Sequence, residues 1–226
     1  MLTGLNSNTV DRLIIALNTA KYGFSVVEAI SVTLTDGLSE MLIASYNGKV
    51  VRFNEAGVRP MGRNASGVRA IKLDEDGQDR AIGMICVEPN SEKTVLVISD
   101  KGFGKRTRLD DEDGQPVYRV TNRGGKGVKT MNLTDKTGQL VGLHAVSDDE
   151  DLMLITKSGT AIRMAMDTIR VMGRATQGVK LIELQKRNDT LMFGCVVPKE
   201  ESEENGENAL NDENGENVEN NNENNE

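Results

Sequence analysis

Three stretches of this 226-residue chain set an arginine, a glycine, a valine and a second cation at one fixed spacing. They are Arg63-Asn-Ala-Ser-Gly67-Val68-Arg69, Arg123-Gly-Gly-Lys126-Gly127-Val128-Lys129 and Arg174-Ala-Thr-Gln-Gly178-Val179-Lys180. Guanidinium and ammonium groups on glycine-bearing loops hold oxyanions through charge-assisted hydrogen bonds, and arginine does so in a planar, two-pronged geometry. One such heptapeptide carries no weight. Three in equivalent surroundings describe a repeat that presents the same cationic loop again and again. A ladder of identical positive loops suits a partner with periodic negative charge, and duplex DNA is such a partner.

The elements that must position these loops recur with them. Each copy opens on a short β-rich run: Met41-Leu-Ile-Ala44, Val95-Leu-Val-Ile98 and Leu152-Met-Leu-Ile155. A turn follows at Asn47-Gly48, Lys101-Gly102 and Ser158-Gly159. Asn-Gly reads as a two-residue type I′ hairpin, which needs positive φ at both central positions. Four residues past each turn glycine stands Arg52, Arg106 or Arg163, and after the basic loop comes a further apolar strand. A last strand closes each unit around Gly83, Gly142 and Gly194. The turn glycines lie 54 and 57 residues apart. From turn glycine to loop glycine there are 19 residues in the first and third copies and 25 in the second. The six extra residues fall near 110–116, and insertions in surface loops are thermodynamically cheap. Four short strands in about 50 residues is the size of a propeller-type blade. The expected fold is therefore all-β, a propeller-like repeat of about three four-stranded blades at about 38–88, 93–147 and 150–198. The competing architecture is a generic β-sandwich, which leaves the joint recurrence of arginine, glycine and valine unaccounted for.

Composition narrows the function. At 37% hydrophobic the chain is globular, and no apolar run approaches the 18 residues of a membrane span. The opening residues lack the basic and apolar regions of a signal peptide, so a cytoplasmic location is expected. Cys86 and Cys195 sit among apolar neighbours and read as small buried hydrophobes in a reducing compartment. With His144 as the single histidine, no metal site is credible, and nothing calls for a cofactor. Aromatic residues make up 3% of the chain and tryptophan is absent, which argues against stacking on single-stranded bases.

The net charge of −8 divides unevenly. Residues 200–226 hold eleven acidic side chains and no lysine or arginine, leaving 24 acidic against 27 basic in 1–199, a net of +3. The Glu/Asn-rich tail, taken as 199–226, has almost nothing to bury and is expected to be disordered. It either keeps the body soluble or competes with DNA for the basic loops as a tethered phosphate mimic. Residues 1–28 do not follow the repeat. Composition over 11–29 is helix-like, interrupted by Gly23, whereas Ala29-Ile-Ser-Val-Thr-Leu34 looks like the closing strand of a preceding blade.

Longer motifs point to a family. The run Asn47-Gly-Lys-Val-Val-Arg-Phe-Asn-Glu-Ala-Gly-Val-Arg-Pro-Met-Gly-Arg-Asn-Ala-Ser-Gly-Val-Arg69 closely resembles the C-terminal domain of the DNA gyrase A protein. So do Gly102-Phe-Gly-Lys-Arg-Thr107 and Val171-Met-Gly-Arg-Ala-Thr-Gln-Gly-Val179, and the resemblance covers roughly residues 29–198. It implies a β-pinwheel, a six-bladed disc in which neighbouring blades exchange a strand. DNA wraps the basic rim of that disc, and the wrapping lets gyrase introduce negative supercoils using ATP. Implied partners are duplex DNA, the remainder of gyrase A, and gyrase B.

Two departures qualify the resemblance. Only three complete blades are visible, resembling the last three of six. The family's Gln-Arg-Arg-Gly-Gly-Lys-Gly box belongs to its first blade, and its nearest counterpart here is the degenerate Asn122-Arg-Gly-Gly-Lys-Gly127 in the middle repeat. DNA affinity is expected to survive this, and full support of supercoiling is not. Upstream, Tyr22, Tyr46 and Tyr118 lack the Ala-Ala-Arg-Tyr context of the family's DNA-cleaving tyrosine, and no Gly-x-x-x-x-Gly-Lys-(Ser/Thr) loop is present. The chain alone is expected to cut nothing and hydrolyse nothing, so any enzyme label is inherited from the complete gyrase.

In the expected mechanism the loop glycines let backbone approach phosphate, while Arg63, Arg123, Lys126 and Arg174 donate to it. Lys49, Arg52, Arg69, Lys105, Arg106, Lys129, Arg163 and Lys180 widen the positive band. Such contacts position DNA without reading its sequence. Against each arginine stands the plain alternative of a solvated or carboxylate-paired side chain. The rival functions are the equivalent domain of topoisomerase IV and a propeller-like protein-interaction module. Three blades also leave open sheet edges, which invite association, so the expectation is either a marginal monomer capped by the N-terminal segment or a dimer that restores six blades.

Overall fold

A computed structural model describes residues 2–6, 12–19, 26–61, 65, 67–75, 77–184 and 188–199, with side chains from residue 30 onward. Ahead of the repeats, β1 (Leu2–Asn6), β2 (Arg12–Thr19) and β3 (Val26–Thr35) make an antiparallel sheet of their own. The first repeat forms β4 (Glu40–Ser45), β5 (Lys49–Asn54), the short 3-10 helix η1 (Glu55–Gly57) and β6 (Ala81–Val87). The second forms β7 (Thr94–Ser99), β8 (Phe103–Arg108), β9 (Val128–Lys129) and β10 (Leu140–Val146). The third forms β11 (Glu150–Thr156), β12 (Ala161–Ala165), η2 (Met166–Thr168), β13 (Val179–Lys180) and β14 (Leu191–Pro198).

Sheet order reveals the exchange of strands. The first blade runs β6-β4-β5-β9 and the second β10-β7-β8-β13, so each takes its outermost strand from the basic loop of the following repeat. Val128 and Lys129 pair with Val50 and Lys49, and Val179 and Lys180 pair with Gly104 and Phe103. The third blade, β12-β11-β14, has three strands, and no following repeat among the described residues supplies a fourth. The expectation of four strands per blade therefore holds only where a following repeat exists.

The central strands are buried on both faces, and their alternation wires one sheet to the next. Met41 and Ile43 enter one apolar cluster with Val51 and Phe53, packed against Ile30 of β3. Leu42, Ala44 and Val50 face the other way, into a cluster with Val95, Val97, Phe103, Tyr118 and Met131. Leu96 and Ile98 then meet Leu152, Leu154, Met166 and Leu184. Each fully buried Leu or Ile contributes roughly 1.5–3 kcal/mol relative to exposure. The core is thus a series of inter-blade layers, and the basic loops hang from its outer edge.

Several local expectations need correction. In each hairpin only the glycine takes positive φ, at +82° for Gly48, +80° for Gly102 and +86° for Gly159. Each glycine N–H donates to the carbonyl three residues back (Ser45, Ser99, Thr156) at 3.0 Å. The connection is a three-residue loop with glycine in the left-handed position, so the type I′ reading of Asn47-Gly48 fails. Helix-like composition over 11–29 gives way to strands over 12–19 and 26–35, because Leu13, Ile14, Ile15 and Leu17 are equally good strand residues and gain pairing partners on β3. The closing strands do run through Gly83, Gly142 and Gly194, with the register offset by one residue in the third repeat. Ala44 pairs Gly83 and Ile98 pairs Gly142, but Ile155 pairs Phe193. A Cβ on Gly83 would stand 3.0 Å from the Leu143 side chain of the next blade, whereas Phe193 faces no following blade among the described residues and is 53% exposed. Cys86 and Cys195 are free thiols and half-buried rather than enclosed. The acidic tail from residue 200 lies outside the described residues.

Candidate nucleic-acid interface

The second and third basic loops are placed by their valine and second cation, which form the exchanged strands. The loop glycines explain how those strands come so close. Gly127 and Gly178 adopt φ of +71° and +77°. A Cβ on Gly127 would sit 2.5 Å from the Val50 carbonyl oxygen, and one on Gly178 would sit 2.7 Å from that of Gly104. The glycines therefore face the backbone of the preceding blade, not an incoming phosphate. Their role is to dock the loop.

The loops are also tied to one another. The Gly124 N–H donates to the Ala70 carbonyl at 2.6 Å and Lys72 N–H to the Gly125 carbonyl at 2.8 Å, joining the first loop to the second. Asn132 N–H donates to the Thr176 carbonyl at 2.9 Å, joining the second to the third. The loop arginines repeat the pattern with side chains. Arg123 donates from Nη1 to the Arg69 carbonyl at 3.3 Å and from Nε to the Gly57 carbonyl at 2.9 Å. Arg174 donates from Nη1 to the Lys129 carbonyl at 2.7 Å. Arg69 and Lys129 are equivalent residues, so each loop arginine grips the loop before it. A guanidinium has five N–H donors, and both arginines keep spares. The result is one continuous basic band along the outer edge of the blades.

The remaining candidates divide by burial. Arg69, Lys126 and Lys129 are exposed on the band. Lys49 is half-buried and paired with Asp74 at 2.5 Å, and exposed Lys180 is paired with Glu183 at 2.6 Å. Arg63 lies outside the described residues.

Arg52, Lys105 and Arg106 point inward. Arg52 donates to Glu40 at 2.6 Å, to Asp110 at 2.9 Å, and to the carbonyls of Leu109 and Tyr118, both at 3.1 Å. Burial works against its charge, but the bonds to Asp110 and Glu40 outweigh it and its pKa is raised. Arg106 donates to the Ile169 carbonyl at 2.8 Å and to Asp148. Lys105 is fully buried, with Nζ bonded to the carbonyls of Gly173 and Arg174, both at 2.6 Å. Burial first, and the neighbouring Arg174 charge second, lower its pKa to about 8. These three hold the chain that leads into the next basic loop. Arg163, at the same repeat position on β12, bonds Asp151 at 2.7 Å and the Pro198 carbonyl at 2.7 Å.

The heptapeptide also omits a cation. Four residues before each loop arginine stands another, Arg59, Arg119 or Arg170, and all three are exposed. Extending the repeat four residues upstream is the signal that finds them.

The model of the DNA gyrase C-terminal domain, a beta-propeller, matches residues 39–88, 93–147 and 150–193. The DNA gyrase A protein of Staphylococcus aureus (strain NCTC 8325 / PS 47) is 40% identical over 176 residues, which is 78% of this chain and 19% of that protein. Its counterpart from strain MRSA252 is 42% identical over 157 residues, 70% of this chain and 17% of that protein. The chain thus spans about a fifth of the length of these curated relatives. Among solved structures, a DNA gyrase A C-terminal domain aligns with TM-score 0.65 at 24% identity, covering 75% of this chain and 54% of that one. The C-terminal domain of DNA topoisomerase IV aligns with TM-score 0.67 at 20% identity, covering 75% of this chain and 50% of that one, a likeness of fold. With three repeats matched in order, their blades built and their basic loops joined along one edge, this chain belongs to the family of DNA gyrase C-terminal domains.

Proposed function

We propose that this chain binds duplex DNA through phosphate contacts along its outer edge, without reading sequence, as part of the gyrase A protein of a DNA gyrase. The observation that carries the reading is the band of basic loops, one per repeat, wired together by Arg123 and Arg174. A rigid row of equivalent cations meets a periodic polyanion at several phosphates at once, and the release of counterions drives the association. Exposed cations of the band (Arg69, Arg123, Lys126, Lys129) and the half-buried Arg174 hold the DNA, joined by Lys49 and Lys180 once phosphate competes with Asp74 and Glu183, and by Arg63 from its place in the repeat. Arg52, Lys105, Arg106 and Arg163 serve instead to hold the blades. Negative supercoiling by wrapping, with ATP hydrolysed elsewhere in a cytoplasmic complex with gyrase B, is the activity this contact would serve.

Reversing the charge of Lys126, Lys129 and Arg69 to glutamate tests the reading. All three are exposed, so the fold should survive, and duplex binding should fall at least tenfold. Unchanged binding by a folded variant sinks it.

The same reading includes self-association. In the first two blades a Gly-Val-(Arg/Lys) strand covers the outer edge, and β5 and β8 are almost wholly buried. Among the described residues nothing pairs with the outer edge of β12, Ala161 and Arg163 are exposed, and a Cβ on Gly159 would meet nothing within 4 Å. By the repeat, this edge accepts a basic-loop strand from a second copy, adding main-chain hydrogen bonds to an unpaired row.

A further inference from the structure

The arginines four residues upstream of the loops occupy one structural position, and two independent features fix it. Val58 and Ile169 end the short helices η1 and η2, each donating its N–H to the helix's first carbonyl, Glu55 at 2.8 Å and Met166 at 3.1 Å. Arg59 and Arg170 come next in the chain. Val120 and Val171 make the same parallel bridge, to Arg52 and Arg106 respectively. The following residues, Thr121 and Met172, donate to the carbonyls of those same arginines, both at 2.8 Å. Arg119 and Arg170 immediately precede the bridges. All three arginines are therefore equivalent, although the helix has no counterpart in the second repeat and an insertion stands in its place.

The surroundings of this position are constant. The residue before it is a core anchor in every unit, with Val58 and Tyr118 at 0% exposure and Ile169 at 1%. The residue after it in the second and third units is an exposed valine, Val120 at 45% and Val171 at 43%. Arg59, Arg119 and Arg170 themselves are exposed, and among the described residues their side chains take part in no hydrogen bond, ion pair or ring contact. That separates them from every other recurring arginine of the fold. Arg52 and Arg106 are consumed by carboxylates and carbonyls, and Arg123 and Arg174 latch the loops. Here the backbone is pinned by a buried neighbour while the guanidinium is left whole, a poor arrangement for stability and a good one for a ligand. At most about 14 Å of chain separates each from its loop arginine, so both can bear on one duplex.

We propose that Arg59, Arg119 and Arg170 form a second tier of phosphate contacts, one per blade, beside the basic loops. The inference rests on the duplex-binding reading and adds a grip in which each blade meets the backbone at two levels. The occupant is a nucleic-acid phosphate rather than an acidic peptide, because the three sites recur at the blade spacing along the band of loops and each offers a bidentate fork with nothing to neutralise it.

The test is duplex binding across a salt titration by the unaltered chain, by Arg59→Ala/Arg119→Ala/Arg170→Ala, and by the matching triple lysine variant. Loss of three phosphate contacts makes the log-affinity against log-salt slope shallower by about 2 to 3, because each contact contributes about −0.9. The alanine variant should show that change with an unaltered melting temperature, and the lysine variant should recover most of the slope. If the unaltered chain binds and the alanine variant matches it in slope and affinity, the second tier is wrong while the duplex reading stands. If the unaltered chain fails to bind at low salt, the duplex reading falls and the tier with it.

Discussion

At the scale of single residues, recurrence and role part company. Arg52 and Arg106 recur because the wiring between blades needs them, and Arg59, Arg119 and Arg170 recur although the fold makes no use of their charge. The sequence alone does not separate the two sets, since burial follows from which strand face meets the next sheet, a fact of long-range packing. Lys105 is the sharpest case. It stands where the first and third repeats have Val51 and Ile162, and its ammonium caps two carbonyls with no carboxylate beside it. Its folded pKa of about 8 lies below the ordinary value of 10.5. Between those values the unfolded chain binds more protons than the folded one, so stability should rise with pH from about 8 to 10.5. The full gain is about 3 kcal/mol. Chemical denaturation at a series of pH values should show that rise in the parent chain and not in Lys105→Met. An equal rise in both would remove Lys105 as its source.

Elements are more legible in the sequence than their joints. Apolar runs and turn glycines mark the paired strands of each repeat, since period-2 burial and hairpin glycines are local signals. The exchanged strands show only through family resemblance, because a two-residue strand such as Val128–Lys129 has no periodicity to read. The glycines locate all three closing strands but not their register, since in the third repeat Phe193 and not Gly194 takes the pairing position of Gly83. The loop glycines carry the element-scale prediction. Gly127→Ala forces a Cβ against the Val50 carbonyl and denies the residue its left-handed φ, so we expect a loss of about 2 kcal/mol or more, with β9 leaving β5. Hydrogen exchange should then show lost protection at Val50 and Val128. Gly77, also at positive φ but with open space around it, is the control, and Gly77→Ala should cost only about 1 kcal/mol. Equal costs at the two sites would mean that close docking of the loop contributes nothing.

For the whole molecule, the balance of +3 over residues 1–199 against an acidic tail points to a basic body, and the structure joins the basic loops of successive repeats along one edge. The joining of the loops is beyond the sequence, as it depends on cross-repeat bonds such as Arg174 to the Lys129 carbonyl. The outer edge of β12 belongs to this scale as well. Sedimentation across a hundredfold range of concentration should show a dimer forming, and Ala161→Pro, which abolishes a donor on that edge, should weaken it. A parent chain that stays monomeric throughout would contradict acceptance of a second copy.

The most direct test of the central claim is equilibrium binding of the purified chain to a linear duplex of about 100 base pairs over a salt titration. Phosphate contact at about two sites per blade predicts a log-log slope on the order of −5, with little difference between unrelated sequences. A flat salt dependence, strong preference for one sequence, or no binding at low salt would contradict a duplex-holding rim.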